Sequence, residues 1–389
     1  MKKFINVSLL STMLLFGQPI IAFADTLDSR TINFEDIGTI ITEQNIAVRI
    51  NENNRLSKHA SYSDLKKSIK EAQDKLDSIE KKRDNATVSA QIIALGSIKQ
   101  SLLENIEILE RNQFDKPTYE AMADLEAAVE DDAQIQLTET LFINYNQQNL
   151  YLSDYALEIK DCENQLRNMQ LQESLGMISQ SAMNNLKTTI VDLQTKLENV
   201  KLQQELYERE LKIALNDQEN TLVFGSVPNA KIDFVIEDED VDLKTAIGNS
   251  YKIKLQEQKI VLLQSELDRV KEDNGISSNE YKVANYNLTN ANLTLSQLKD
   301  TLKSDYNSMI DDIVKAQANL RLAEQSLENK KVSMSEAQIR MNLGLISQSD
   351  MDSATTDYQA QENVVREKQI DIFNEIRDYE WFLKGMVRS

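Results

Sequence analysis

Leu175-Gly176-Met177-Ile178-Ser179-Gln180-Ser181-Ala182-Met183 returns in the second half of the chain as Leu343-Gly344-Leu345-Ile346-Ser347-Gln348-Ser349-Asp350-Met351, with seven of nine positions identical. Such a repetition marks a duplicated structural unit. Each copy separates two long polar-rich stretches with helical spacing. The reading that follows is a tight turn at the end of a long antiparallel helical hairpin, made twice. Gly176 and Gly344 are expected to end one helix at positive φ, and Ser179 and Ser347 to cap the next. Only the second copy carries an acid, Asp350, in the first turn of the following helix, where the helix dipole favours it.

The flanking sequence supports this. Leu152, Tyr155, Ile159, Cys162, Leu166 and Met169 step by threes and fours into the first copy. Leu186, Ile190, Leu193, Leu197, Val200, Gln204, Tyr207, Leu211 and Ala214 lead out of it. Around the second copy the same spacing runs through Ile313, Ala316, Leu320, Ala323, Leu327, Lys330, Met334, Ala337 and Met341. It resumes through Met351, Ala354, Tyr358, Gln361, Val365, Lys368 and Ile372. Such heptad seams bury one helix against another. The fold class is all-α, with long antiparallel coiled-coil hairpins in a tandem two-repeat arrangement.

Composition agrees. Among 389 residues there are 9 Gly and 3 Pro, so helices run long before meeting a breaker. Pro117 is expected to break the first half's helix, with Thr118 capping the next. Asp273 to Ser278 reads as a turn. Phe224 to Pro228 is a break, and Ile232 to Ile236 an extended or strand-like linker. The expected organisation is a signal peptide over 1–24, a first repeat over 25–219, a linker over 220–240 and a second repeat over 241–389. The stretch before the tip is longer in the first half, which places an insertion before residue 150. Tyr379, Trp381 and Phe382 form a closing aromatic cluster suited to packing.

Lys2 and Lys3, the apolar run Phe4 to Phe16, and Ala22-Phe23-Ala24 have the order of an export signal, with cleavage after Ala24. The run is shorter than the roughly 20 residues a membrane span needs. The net charge of -20 disfavours nucleic acid and electrostatic docking on anionic lipid. His59 and Cys162 are each single, so a disulfide and a Cys/His zinc site have no partners within this sequence. His59 lies in a polar stretch and reads as exposed, and Cys162 falls on an apolar seam. No nucleophile motif and no phosphate-binding glycine loop is present. The chain therefore reads as a non-enzyme with no cofactor and no metal. The apolar residues at the tips suggest a partner surface.

On the two tips, the half-starts near 32–50 and 241–255, and the closing Tyr379-Glu380-Trp381-Phe382-Leu383-Lys384-Gly385, the chain resembles the TolC-like outer-membrane efflux family. The resemblance spans about 31–386. It implies a homotrimeric efflux or type I secretion-like duct in the cell envelope. It also implies partners: a membrane-fusion-type adaptor protein and an ABC or similar transporter. Carried over, Leu175, Gly176, Met177, Ile178 and Ser179, with Leu343, Gly344, Leu345, Ile346 and Ser347, would face the adaptor. Asp350 would line the lumenal constriction. Two departures stand out: Ile346 replaces a basic residue that is frequent in the family's tips, and no alternating barrel strands are legible around 85–135 or 270–310. The expectation is a barrel-less relative. The alternative reading is an exported coiled-coil structural or interaction protein without a duct.

Overall fold

The computed structural model describes residues 30–177, 179–218, 220–229 and 233–386. The proposed leader and its cleavage site lie outside them. The chain opens with strand β1 (Arg30–Ile32), a 3-10 turn (Phe34–Asp36) and helix α1 (Ile37–Gln44). Next come α2 (Ile46–Ser63), α3 (Leu65–Asp84), α4 (Ser89–Ser174) and α5 (Gln180–Ala214). Strand β2 (Leu222–Phe224) precedes α6 (Glu239–Asn249), α7 (Tyr251–Asn274), α8 (Asn279–Asn342) and α9 (Gln348–Lys384). The fold is all-α, built from helical hairpins.

The seams explain how the long helices find one another. Every seam position named above on α4, α5, α8 and α9 is buried or half-buried. α5 packs on α4, α8 on α9, and α4 on α9, so the order across the tip-side body is α5–α4–α9–α8. This leaves α5 and α8 as the edges. Away from the tips, α2 and α3 run back along α4, and α7 along α8.

The middle of the body holds the core. Ile32, Phe34, Ile37, Ile41, Phe142, Leu211, Leu215, Val227 and Ile370 bring both termini of the first half onto α4 and α9. A second cluster gathers Ala246, Ile253, Leu302, Tyr306, Met309, Ile313, Tyr379 and Phe382. The aromatic cluster foreseen at 379–382 is thus core. β1 pairs with β2 in parallel, Arg30 opposite Leu222 and Ile32 opposite Phe224. Residues 233–236 form no strand.

Pro117 does not break the helix. α4 runs continuously for 86 residues, about 130 Å, so Thr118 lies inside it and caps nothing. A proline in a helix interior costs roughly 3 kcal/mol through its missing N–H and the clash with the preceding turn. Contacts on both sides hold the helix together. Arg269 of α7 donates to the buried Asp115 at 3.1 Å. The Tyr119 ring stacks on Tyr62 of α2 with centroids 5.4 Å apart.

The first-half insertion lies at the end away from the tips. The offset that carries Gly176 onto Gly344 carries Arg111 onto Asn279, the first residue of α8, and Arg111 sits 3.7 Å from Asp273 beside the second half's turn. Residues 89–110 of α4 therefore project about 33 Å past that turn, with α3 alongside. At this end the hairpins close through residues 85–88 and 275–278. Helix occupies 89–135, 270–274 and 279–310, with no strand in these stretches.

Candidate functional site: the paired hairpin tips

The last turn of α4 ends at Glu173-Ser174-Leu175. Gly176 then takes φ +71°, with its N–H donating to the Glu173 carbonyl and the Met177 N–H to the Gln172 carbonyl. The second tip repeats this bond for bond: Gly344 has φ +70°, its N–H donates to Met341, and the Leu345 N–H donates to Arg340. This paired closure of a helix end needs a left-handed residue, which glycine adopts without strain.

The motif places an apolar side chain just after the glycine, where it ordinarily packs on the preceding turn. Here that packing is incomplete. Leu171, Leu175 and Met177 at the first tip, and Ile339, Leu343 and Leu345 at the second, are 60–70% exposed. The two trios occupy equivalent places in the repeat. Leu171 and Ile339 were not singled out from sequence, because they lie inside helical stretches before the motif. Their shared place in the repeat and their mismatch with the buried seam are the signals that find them. Ile346 is half-buried, and Met183 and Met351 are buried beneath the tips. Ile178 lies outside the described residues.

The tips differ on their outgoing side. Ser347 accepts from the Asp350 N–H at 3.2 Å, and the Asp350 carboxylate accepts from the Ser347 N–H at 2.9 Å and hydroxyl at 2.8 Å. This reciprocal capping box fixes the start of α9. Hydrogen bonds from the Ser347 backbone and side chain hold the Asp350 carboxyl below the usual carboxylate range. Ser179 occupies the equivalent position but its side chain makes no cap bond: the Ala182 N–H donates to the Ser179 carbonyl at 3.2 Å instead, and Ala182 has no carboxylate to return a bond. The Asn168 amide donates to the Ser349 hydroxyl at 2.6 Å, tying α4 to the second tip.

Below the tips the halves are joined by buried charge. Glu139 of α4 accepts from Arg377 Nε at 2.8 Å and Nη2 at 2.6 Å, and from Trp381 Nε1 at 2.7 Å. Burial works against the Arg377 charge, yet Glu139 and Glu380 hold the guanidinium above its ordinary value. Elsewhere, His59 is half-buried, not exposed as read from sequence, with Nε2 2.8 Å from Asp124 in an ionic cluster with Arg55. Cys162 is half-buried on its seam, where burial pushes the thiol up.

Tandem hairpins, paired tips at one end and a side-by-side helical body are a fold shared with outer-membrane channels of known structure. The chain is similar to the Campylobacter jejuni CmeC outer membrane channel, with TM-score 0.54 and 12% identity over 71% of this chain and 68% of that one. It is similar also to the outer-membrane channel OprN, with TM-score 0.53 and 10% identity over 91% and 92% of the two chains. A membrane protein from Pseudomonas aeruginosa matches with TM-score 0.54 and 8% identity over 88% and 90%. At these identities the likeness is one of fold. No protein-family model matches the chain, and no curated protein does.

Proposed function

We propose that this chain is an exported efflux-duct component whose copies close, edge to edge, into a helical tube. The observation that carries this is the match between the internal repeat and the exposed edges. Within one chain α4 packs on α9. Exchanging each helix for its repeat equivalent turns that contact into α8 of one copy against α5 of the next. The edges are dressed for it. Leu202 and Ile213 on α5 are exposed, and their counterparts on α9, Ile370 and Trp381, are buried. On α8, exposed Leu322 and Val332 correspond to Asp154, which accepts from Asn363 of α9, and to the buried Asn164. A head-to-tail contact that repeats the internal one closes a ring when the rotation permits. With four helices per chain in the tip-side body, we take the ring to be a homotrimer.

In this reading 25–219 and 241–389 are equivalent repeats joined by 220–240, and residues 1–24 are removed on export after Ala24. The tips, Leu175 to Ser179 and Leu343 to Ser347, dock a membrane-fusion-type adaptor serving an ABC or similar transporter. Their exposed leucines and methionine suit burial against a partner. Asp350 contributes an acidic ring that favours cations at the lumenal constriction. The far end closes through helical turns, so attachment to an outer membrane there would differ from a barrel. That same feature favours the second reading, an envelope spacer without a duct. Sedimentation velocity separates the two: a trimer supports the duct, and a monomer or dimer supports the spacer. Photocrosslinkers at Met177 and Leu345 then test docking in cells, and failure to capture an adaptor would remove that part of the proposal.

A further inference from the structure

The end of the first hairpin farthest from the tips combines an uncharged stretch, exposed aliphatic side chains and a basic flank. Residues 85–98 (Asn-Ala-Thr-Val-Ser-Ala-Gln-Ile-Ile-Ala-Leu-Gly-Ser-Ile) contain no charged side chain, in a chain that is 27% charged. Val88, Ile92, Ile93 and Ile98 are exposed there, Ile93 at 71%. The flanks are basic although the whole chain carries -20. Lys81, Lys82 and Arg83 fill the last turn of α3, whereas the corresponding turn of α7 has Lys271 alone. Lys99 closes the uncharged stretch on its other side and pairs with Glu80 at 2.7 Å. Arg83 pairs with Asp84 at 3.5 Å. Lys81 and Lys82 are exposed and have no ion-pair partner among the described residues.

These features sit on the part of α4 that projects beyond the second hairpin, so the rest of the body does not cover them. The helical part of the uncharged stretch, 89–98, spans about 15 Å, half a bilayer's hydrocarbon core. Among the described residues no helix is long and apolar enough to cross a membrane. An apolar cap with a lysine collar is the arrangement of segments that lie in the lipid interface, with the apolar side chains immersed by roughly 5–10 Å and the ammonium groups at the headgroups. We infer that the α3–α4 turn is an interfacial membrane foot: Val88, Ile92, Ile93 and Ile98 enter an anionic lipid surface, and Lys81 and Lys82 bind its headgroups. The acidic remainder of the chain is repelled by the same surface, so the foot also orients the long axis away from the lipid.

The test is flotation of the full chain with vesicles of phosphatidylglycerol and phosphatidylcholine in equal parts, against pure phosphatidylcholine vesicles. The inference predicts binding to the anionic vesicles that weakens with added salt. Lys81→Gln/Lys82→Gln lowers the partition coefficient on the order of thirtyfold, from two headgroup-binding charges. Ile92→Asn/Ile93→Asn abolishes binding while far-UV circular dichroism keeps its helical signal. In an Ile93→Trp chain, a blue shift of emission on adding vesicles, absent from the native chain, places this residue in lipid. Should the isoleucine variant misfold, the lysine variant and Ile93→Trp still decide the matter. Absence of flotation overturns the inference. So does flotation that neither variant reduces, which assigns lipid contact to another segment. Equal binding to soluble polyglycerol phosphate, indifferent to Ile92→Asn/Ile93→Asn, overturns it in favour of an anionic polymer.

Discussion

Removing the Glu139 carboxylate should unfasten the two halves. Its side chain is 5% exposed and faces the Arg377 guanidinium, itself 21% exposed, in a two-pronged contact. It also takes the indole N–H of Trp381, the chain's single tryptophan. Glu139→Leu leaves a guanidinium in a mostly dry setting, with Glu380 at its rim as the remaining carboxylate. Breaking a buried pair from one side costs about 3–5 kcal/mol, and part of that is an indole N–H left without an acceptor. The Phe34 and Trp381 rings that the guanidinium overlies offset little of this. The double variant Glu139→Leu/Arg377→Met removes both charges and should recover most of the loss. Urea unfolding followed by Trp381 emission and by far-UV circular dichroism measures both. The reasoning fails if Glu139→Leu costs no more than about 0.5 kcal/mol, the range of an exposed substitution such as Glu205→Leu. It also fails if the double variant is no more stable than the single one.

Pro117→Ala should stabilise the chain by up to about 3 kcal/mol, since the helix already runs through this position and regains an N–H. A lower urea midpoint would show instead that α4 depends on a bend there. Ser347→Ala should speed amide exchange at the start of α9 roughly fivefold, equivalent to a lost cap of ~1 kcal/mol. Ser179→Ala, which removes no side-chain cap bond, should leave the start of α5 nearly unchanged. The Asp350 carboxyl is lowered in the folded chain, so its capping contribution is full above the unfolded carboxylate value. That contribution is lost as pH falls through the folded value. Protection at the second tip, corrected for intrinsic exchange, should therefore fall in acid more than at the first tip.

The hairpins were legible because their signals are local. A glycine that must take positive φ, a serine at the next helix start, and apolar steps of three and four describe each tip and its seams within one unbroken stretch of chain. The turn at Asp273 to Ser278 was legible for the same reason, with Gly275 at φ +77°. Pro117 misled because its cost is offset by Asp115–Arg269, whose members lie 154 positions apart. The β1–β2 pair joins segments at opposite ends of the first half, and such short strands carry too little alternation to read. The ties between halves, Glu139 to Arg377 and Asp132 to Tyr251, join ordinary charged and polar residues whose burial only the assembled helices create. At the tips, sequence identified the turn but not its full apolar surface, since exposure of Leu171 and Ile339 depends on which face the seam leaves outward.

The duct stands or falls on whether α8 of one copy meets α5 of another in the register that α4 and α9 adopt within a chain. The hydrogen bond from Asn363 to Asp154, 2.7 Å, fixes that register. Carried over to the repeat equivalents, it sets Thr195 of one copy beside Leu322 of the next, both exposed in the single chain. In a Cys162→Ser background, Thr195→Cys/Leu322→Cys should on mild oxidation give linked dimers and trimers and then stop, with the trimer a closed species. Neither single cysteine variant should give trimers. A chain that stays monomeric on oxidation, or that links into ladders running past three copies, would contradict the closed ring.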